Sequence, residues 1–69
     1  MMYVDVESSS IHLVQFLKVC MAVQSGGMAK HIIEEGQVMV NGEVCYQKKK
    51  SLIQGDVIHY KIDYCVRYI

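Results

Sequence analysis

Lys48, Lys49 and Lys50 stand side by side in a polar stretch, Gln47-Lys48-Lys49-Lys50-Ser51. Three adjacent ammonium groups on a turn can neutralise phosphates, and each phosphate neutralised adds about 0.9 to the salt slope of binding on a duplex. Lys18 and Lys30 would join that surface if the fold brings them near it. A solvated loop whose lysines discourage strand edges from pairing fits the same triplet. Ser25-Gly26-Gly27 offers a second anion feature, a capping serine with two glycines that let the backbone approach a phosphate. A plain helix-helix turn explains those glycines equally well, and the Gly-Lys-Ser/Thr ending of a P-loop is missing.

Tyr46, Tyr60, Tyr64 and Tyr68 are potential stacking platforms for unpaired bases. Tyr46, just before the lysines, suits that task best. The others alternate with Ile58, Ile62 and Val66 and read as core or interface. Of the three histidines, no two are four apart, and none has a Glu or Asp placed to complete a metal set. His31 adjoins Lys30 and can touch a phosphate, or can be a surface histidine with no task. Glu34 and Glu35 lie about 100° apart on a helix and do not converge. Cys20 falls on an apolar stripe, a poor setting for a thiolate. These residues assemble no nucleophile with its base and no carboxylate pair, so the chain does not read as an enzyme, and no cofactor is implied.

The rest of the chain must position these groups. It has 69 residues, 52% hydrophobic and 20% charged, which fits one small domain over residues 1–69 rather than a disordered tail. A chain this short buries only about 60% of its unfolded surface, leaving a thin stability margin. Seven basic residues balance seven acidic ones, so whole-chain charge alone does not indicate a nucleic-acid partner, and distribution matters more. Cys20, Cys45 and Cys65 are odd in number and widely spaced, unlike a disulfide framework. With no apolar stretch approaching the roughly 20 residues that span a bilayer and no leader pattern, the expected address is the cytoplasm, away from membranes.

Residues 3–6 alternate weakly as a short strand, and Ser8-Ser9-Ser10 offers a polar turn. Over residues 11–21, Leu13, Phe16, Leu17 and Cys20 form the stripe of a first helix, widened by Val14 and Val19. Ser25 caps a second, with Ala29, Ile32 and Ile33 inside and Gly36 as its stop. Asn41-Gly42 between alternating segments signals a type I′ hairpin. Gln54-Gly55-Asp56 is a further turn. Residues 57–69 alternate throughout, with Ile58, Tyr60, Ile62, Tyr64, Val66 and Tyr68 on one face. As one strand they would run about 43 Å at ~3.3 Å per residue, too long for so small a core. Such a strand must bend, pair with the N-terminal strand, or project and invite a second chain.

Ala29-Lys30-His31-Ile32-Ile33-Glu34-Glu35-Gly36-Gln37-Val38-Met39-Val40-Asn41-Gly42, followed by Gly55-Asp56-Val57-Ile58, resembles the RNA-binding domain named after small-subunit ribosomal protein S-four, the alpha-L motif. The resemblance covers about residues 13–62 and is similar to the short stand-alone bacterial members. It implies an α+β fold in which two short packed helices dock on a small, bent, mostly antiparallel sheet. It also implies binding to structured RNA, ribosomal RNA above all, through the start of the second helix and a basic loop. Carried onto this chain, that surface comprises Lys18, Ser25, Lys30, Lys48, Lys49 and Lys50; Gly26, Gly27, His31 and Tyr46 join the expected RNA-binding set on their own chemistry. Many members place arginine directly after the capping serine, where this chain has Gly26, and many are strongly basic. Both departures favour an alternative: a protein-interaction module that has lost RNA and pairs with a partner or a second copy through its C-terminal strand.

Overall fold

The computed structural model describes residues 1–69. In chain order the elements are β1 (Met2–Val6), α1 (Leu13–Val19), α2 (Gly26–Glu34), β2 (Met39–Val40), β3 (Glu43–Val44), β4 (Val57–Tyr60) and β5 (Ile62–Tyr68). The strands form one sheet in the order β1-β5-β4-β2-β3. Every neighbouring pair is antiparallel except β1 with β5, which run parallel. The fold is α+β with two short helices and a five-stranded, mostly antiparallel sheet.

Both helices lie on one face of the sheet. Leu13, Phe16 and Leu17 of α1 and Ala29, Ile32 and Ile33 of α2 share a core with Val4, Val40, Ile58, Tyr60, Tyr64 and Val66 of the strands. Seven- and nine-residue helices do not persist alone in water, so this shared core sustains them. Helix α1 is shorter than residues 11–21: Ile11 is held in an extended segment beside Leu52, and Met21 turns away with φ +63°. Val19, expected on the apolar side, is half exposed.

The local signals act as their chemistry dictates. Ser25 adopts an extended backbone (φ −148°) and its hydroxyl accepts from Met28 N–H at 3.2 Å, capping α2. Gly36 ends that helix at φ +75°, and Asn41 and Gly42 take φ +52° and +86° in the hairpin between β2 and β3.

The alternating C-terminal segment is two strands, not one. Lys61 at φ +69° reverses the chain, and β4 folds back on β5 with Tyr60 opposite Ile62. The tyrosine face turns inward: Tyr60 and Tyr64 are buried, and the Tyr68 hydroxyl donates to Leu52 C=O and accepts from Ile11 N–H. Strand β5 therefore has no free edge. Strand β1 occupies one side of it, while β4 and the turn before β4 occupy the other, where Gly55 N–H donates to Val66 C=O and Val66 N–H to Asp56 C=O. Of the three outcomes open to this segment it takes two, bending at Lys61 and pairing with the N-terminal strand, so it does not project and offers no edge to a partner or second copy.

Candidate nucleic-acid interface

The basic loop is held by its main chain. Leu13 N–H donates to Lys50 C=O at 2.9 Å and Val14 N–H to Lys48 C=O at 3.0 Å, so two loop carbonyls satisfy the otherwise orphaned first turn of α1. Lys50 N–H closes the loop onto Gln47 C=O, and a bridge between His12 and Ser51 fastens its far side. Lys49 is exposed, while Lys48 and Lys50 are half-buried. Tyr46, just before the loop, is 65% exposed, and its ring lies against Gly36. A Cβ at Gly36 would come within 3.2 Å of that ring, so the exposed Tyr46 side chain would have to shift, and the φ of +75° is what favours glycine there.

A second group forms at the other end of the helical pair. The Lys18 side chain, in the last turn of α1, passes over Gly26 at the start of α2. A Cβ on Gly26 would lie 3.8 Å from Lys18 Cδ and 4.0 Å from its Nζ. The N–H groups of Gly26 and Gly27 have no acceptor within the protein. Gly26 thus lacks a cationic side chain of its own, but an ammonium group from the neighbouring helix stands beside it.

The ten expected residues do not form one cluster. Lys18, Ser25, Gly26 and Gly27 gather where α1 ends and α2 begins, and Tyr46, Lys48, Lys49 and Lys50 gather where α1 begins and α2 ends. Seven residues of α1, about 10 Å of helix, separate the groups. Lys30 is exposed midway along α2, between them. His31 is exposed and 3.9 Å from Glu35, so its nearest charged neighbour is a carboxylate.

Charge pairing divides the molecule. No carboxylate lies within ion-pair distance of Lys18, Lys30, Lys48, Lys49 or Lys50, nor of Lys61 at the β4-β5 reversal, whose ammonium group lies over the Tyr60 ring. On the uncovered face of the sheet, by contrast, Arg67 pairs with Asp5 and stacks over Tyr3 at 5.6 Å, and His59 meets Asp63 at 2.7 Å. A side-chain hydrogen bond from Arg67, reinforced by its charge against a smaller opposing effect of desolvation, holds the Asp5 carboxyl below its ordinary value. Burial pushes the Cys20 thiol up, away from the thiolate. No three His, Cys, Asp or Glu side chains come close enough to share a metal ion.

Sequence reasoning missed Asp56, the one buried charged residue. Its carboxylate accepts from Asn41 Nδ2 at 3.0 Å and from Ile53 N–H at 2.9 Å, while Asn41 Oδ1 accepts from Val57 N–H. This bracket ties the β2-β3 hairpin to the turn before β4. The Asn-Gly and Gly-Asp pairs that announce two separate turns are the signal for it: each supplies one side of a single bond.

Comparison with known proteins agrees with this architecture. Residues 4–66 match the S4 domain family. Over 55 residues the chain is 40% identical to a probable ribosome maturation protein, RlbA, of Bacillus subtilis (strain 168), covering 80% of this chain and 78% of that one. The crystal structure of 30S ribosomal protein S4e from Thermoplasma acidophilum superimposes with a TM-score of 0.57 at 24% identity, a likeness of fold. That match takes in 78% of this chain but only 29% of the archaeal protein. No helix of the chain is long and apolar enough to cross a membrane. With the family matched across all but the termini, this chain belongs to the S4 domain family.

Proposed function

We propose that residues 1–69 act as a single, non-enzymatic S4 domain that docks on structured RNA in the cytoplasm, on ribosomal RNA or an assembling ribosomal particle. The observation that carries this reading is the run of lysines without carboxylate partners along the helical side, in a fold whose family is named for a ribosomal protein. Relatives named for ribosome maturation and for the 30S subunit support the same assignment. In this reading the two groups contact phosphates about one helix length apart, with Lys30 between them. Lys18 supplies the cation at the start of α2 that Gly26 does not. Recognition is by shape and backbone, because so small a surface reads few base edges.

Binding of a structured ribosomal RNA fragment across a salt series tests the proposal. The parent chain binds at low salt, and its log-log slope exceeds that of the Lys48→Ala/Lys49→Ala/Lys50→Ala variant by about two to three units. No binding of the parent at low salt sinks the RNA reading. Equal slopes move the interface away from the loop.

A further inference from the structure

The two edges of the sheet are protected very differently. Edge β3 is two residues long and carries Glu43, which discourages strand addition by shortness and charge. Edge β1 is five residues long, regular, and free of proline and lysine. In its parallel pairing with β5, Val6 C=O accepts from Ile69 N–H, so by alternation Met2, Val4 and Val6 direct their main-chain groups at β5. The N–H and C=O of Tyr3 and Asp5 therefore face outward with nothing to bond. The single charge on this edge, Asp5, is already neutralised by Arg67.

We propose that β1 is a homodimer edge, pairing antiparallel with β1 of a second copy to join the two sheets. One register satisfies every constraint, with Tyr3 opposite Asp5, Val4 opposite Val4, and Met2 opposite Val6. The outward-facing residues Tyr3 and Asp5 then form hydrogen-bonded pairs, exchanging both bonds, and the two-fold axis passes through the non-bonded Val4 pair.

Side chains agree with this register on both faces. On the open face, each Asp5 carboxylate is flanked by its own Arg67 and by Tyr3 of the second copy, so no unpaired like charges meet. On the helical face, Met2 of the second copy arrives beside Val6, at a groove lined by Val6, Ile11, Val19 and Ile69. Met2, Val19 and Ile69 are 50%, 51% and 69% exposed in the single chain. A second copy fits where a nucleic acid does not: the groove also carries Glu7 and no cation. The lysine groups lie on the helices and the basic loop, so dimer formation is independent of the RNA reading.

Sedimentation at tens to hundreds of micromolar tests the proposal. The parent chain should sediment at twice its 7.9 kDa mass, in high salt as in low. Asp5→Pro removes an N–H that bonds nothing in the monomer, and should raise the dimer dissociation constant by about tenfold or more, with circular dichroism unchanged. Asp5→Ala keeps the N–H and remains dimeric. Val4→Cys places two thiols at the two-fold position, within disulfide reach of each other, so mild oxidation yields a covalent dimer that the parent chain does not form. This second variant reports even where the proline variant does not fold. A monomeric parent at high concentration overturns the proposal. So does a dimer that ignores a folded Asp5→Pro chain, loss of dimer in Asp5→Ala and Asp5→Pro alike, or a dimeric Val4→Cys chain that does not cross-link.

Discussion

Two neighbouring connections solve the same problem by opposite means. The loop at residues 47–51 is anchored through main-chain carbonyls, those of Lys48 and Lys50, which cap α1. The turn at residues 53–56 has main-chain bonds to Val66 but adds a side-chain anchor, with the buried Asp56 carboxylate bridging Ile53 N–H and Asn41. Where the main chain holds the loop, its three lysine side chains remain without ion-pair partners. Where side chains hold the turn, they are consumed by it, and Asp56 is buried. Position is thus separated from chemistry in the first connection and fused with it in the second, so substitutions in the two should have contrasting outcomes.

The largest expected effect falls on the side-chain-anchored turn. Asp56→Ala strands Ile53 N–H and the Asn41 amide in a part-buried site, and should cost about 2–3 kcal/mol of stability by urea unfolding. The triple lysine-to-alanine variant should shift the same unfolding curve by less than about 0.5 kcal/mol, because the carbonyls that cap α1 survive it. A large loss there breaks the comparison. Ser25→Ala is intermediate, a side-chain cap on an exposed helix start, and should cost about 1 kcal/mol.

Two smaller effects sharpen the contrast between the lysine-bearing side and the charge-paired sheet. Lys61→Ala/Arg67→Ala removes as much as two units of positive charge from the sheet side, yet should alter the RNA salt slope by less than about 0.5 units. A change of two units would place RNA on the sheet as well. Asp5 gives the smallest signal. Its folded carboxyl titrates below the ordinary 3.8, so the stabilisation from Arg67 is complete above the unfolded value and is lost as pH falls through the folded one. A carboxyl resonance titration should show a midpoint below 3.8 that moves up in Arg67→Ala.

The elements that announce themselves in the sequence depend on local chemistry. Ser25, Gly36 and Asn41-Gly42 each act through their own backbone or the next few residues, and each behaves as its type predicts. The break at Lys61 is invisible for a geometric reason. With Tyr60 opposite Ile62 and Ile58 opposite Tyr64, partners share the same parity, so the inward-outward alternation runs through the reversal without a phase shift. Only a positive φ at a lysine marks it. The Asp56 bracket and the division of the cations into two groups were also hidden, because both depend on residues brought together across the fold. Of the candidate site, the residue types were legible and their spatial arrangement was not.

The parallel pairing of β1 with β5 also sets an order of events in folding. The helical pair, the β2-β3 hairpin and the β4-β5 reversal each close over short stretches, but Val4 meets Val66 only after nearly the whole chain has been gathered in. On a chain emerging from a ribosome, Met2–Val6 is made first and paired last, because β5 must leave the exit tunnel before β1 has a neighbour. The first strand synthesised is therefore the final one to dock, and the stretch of protein that waits longest without its hydrogen bonds.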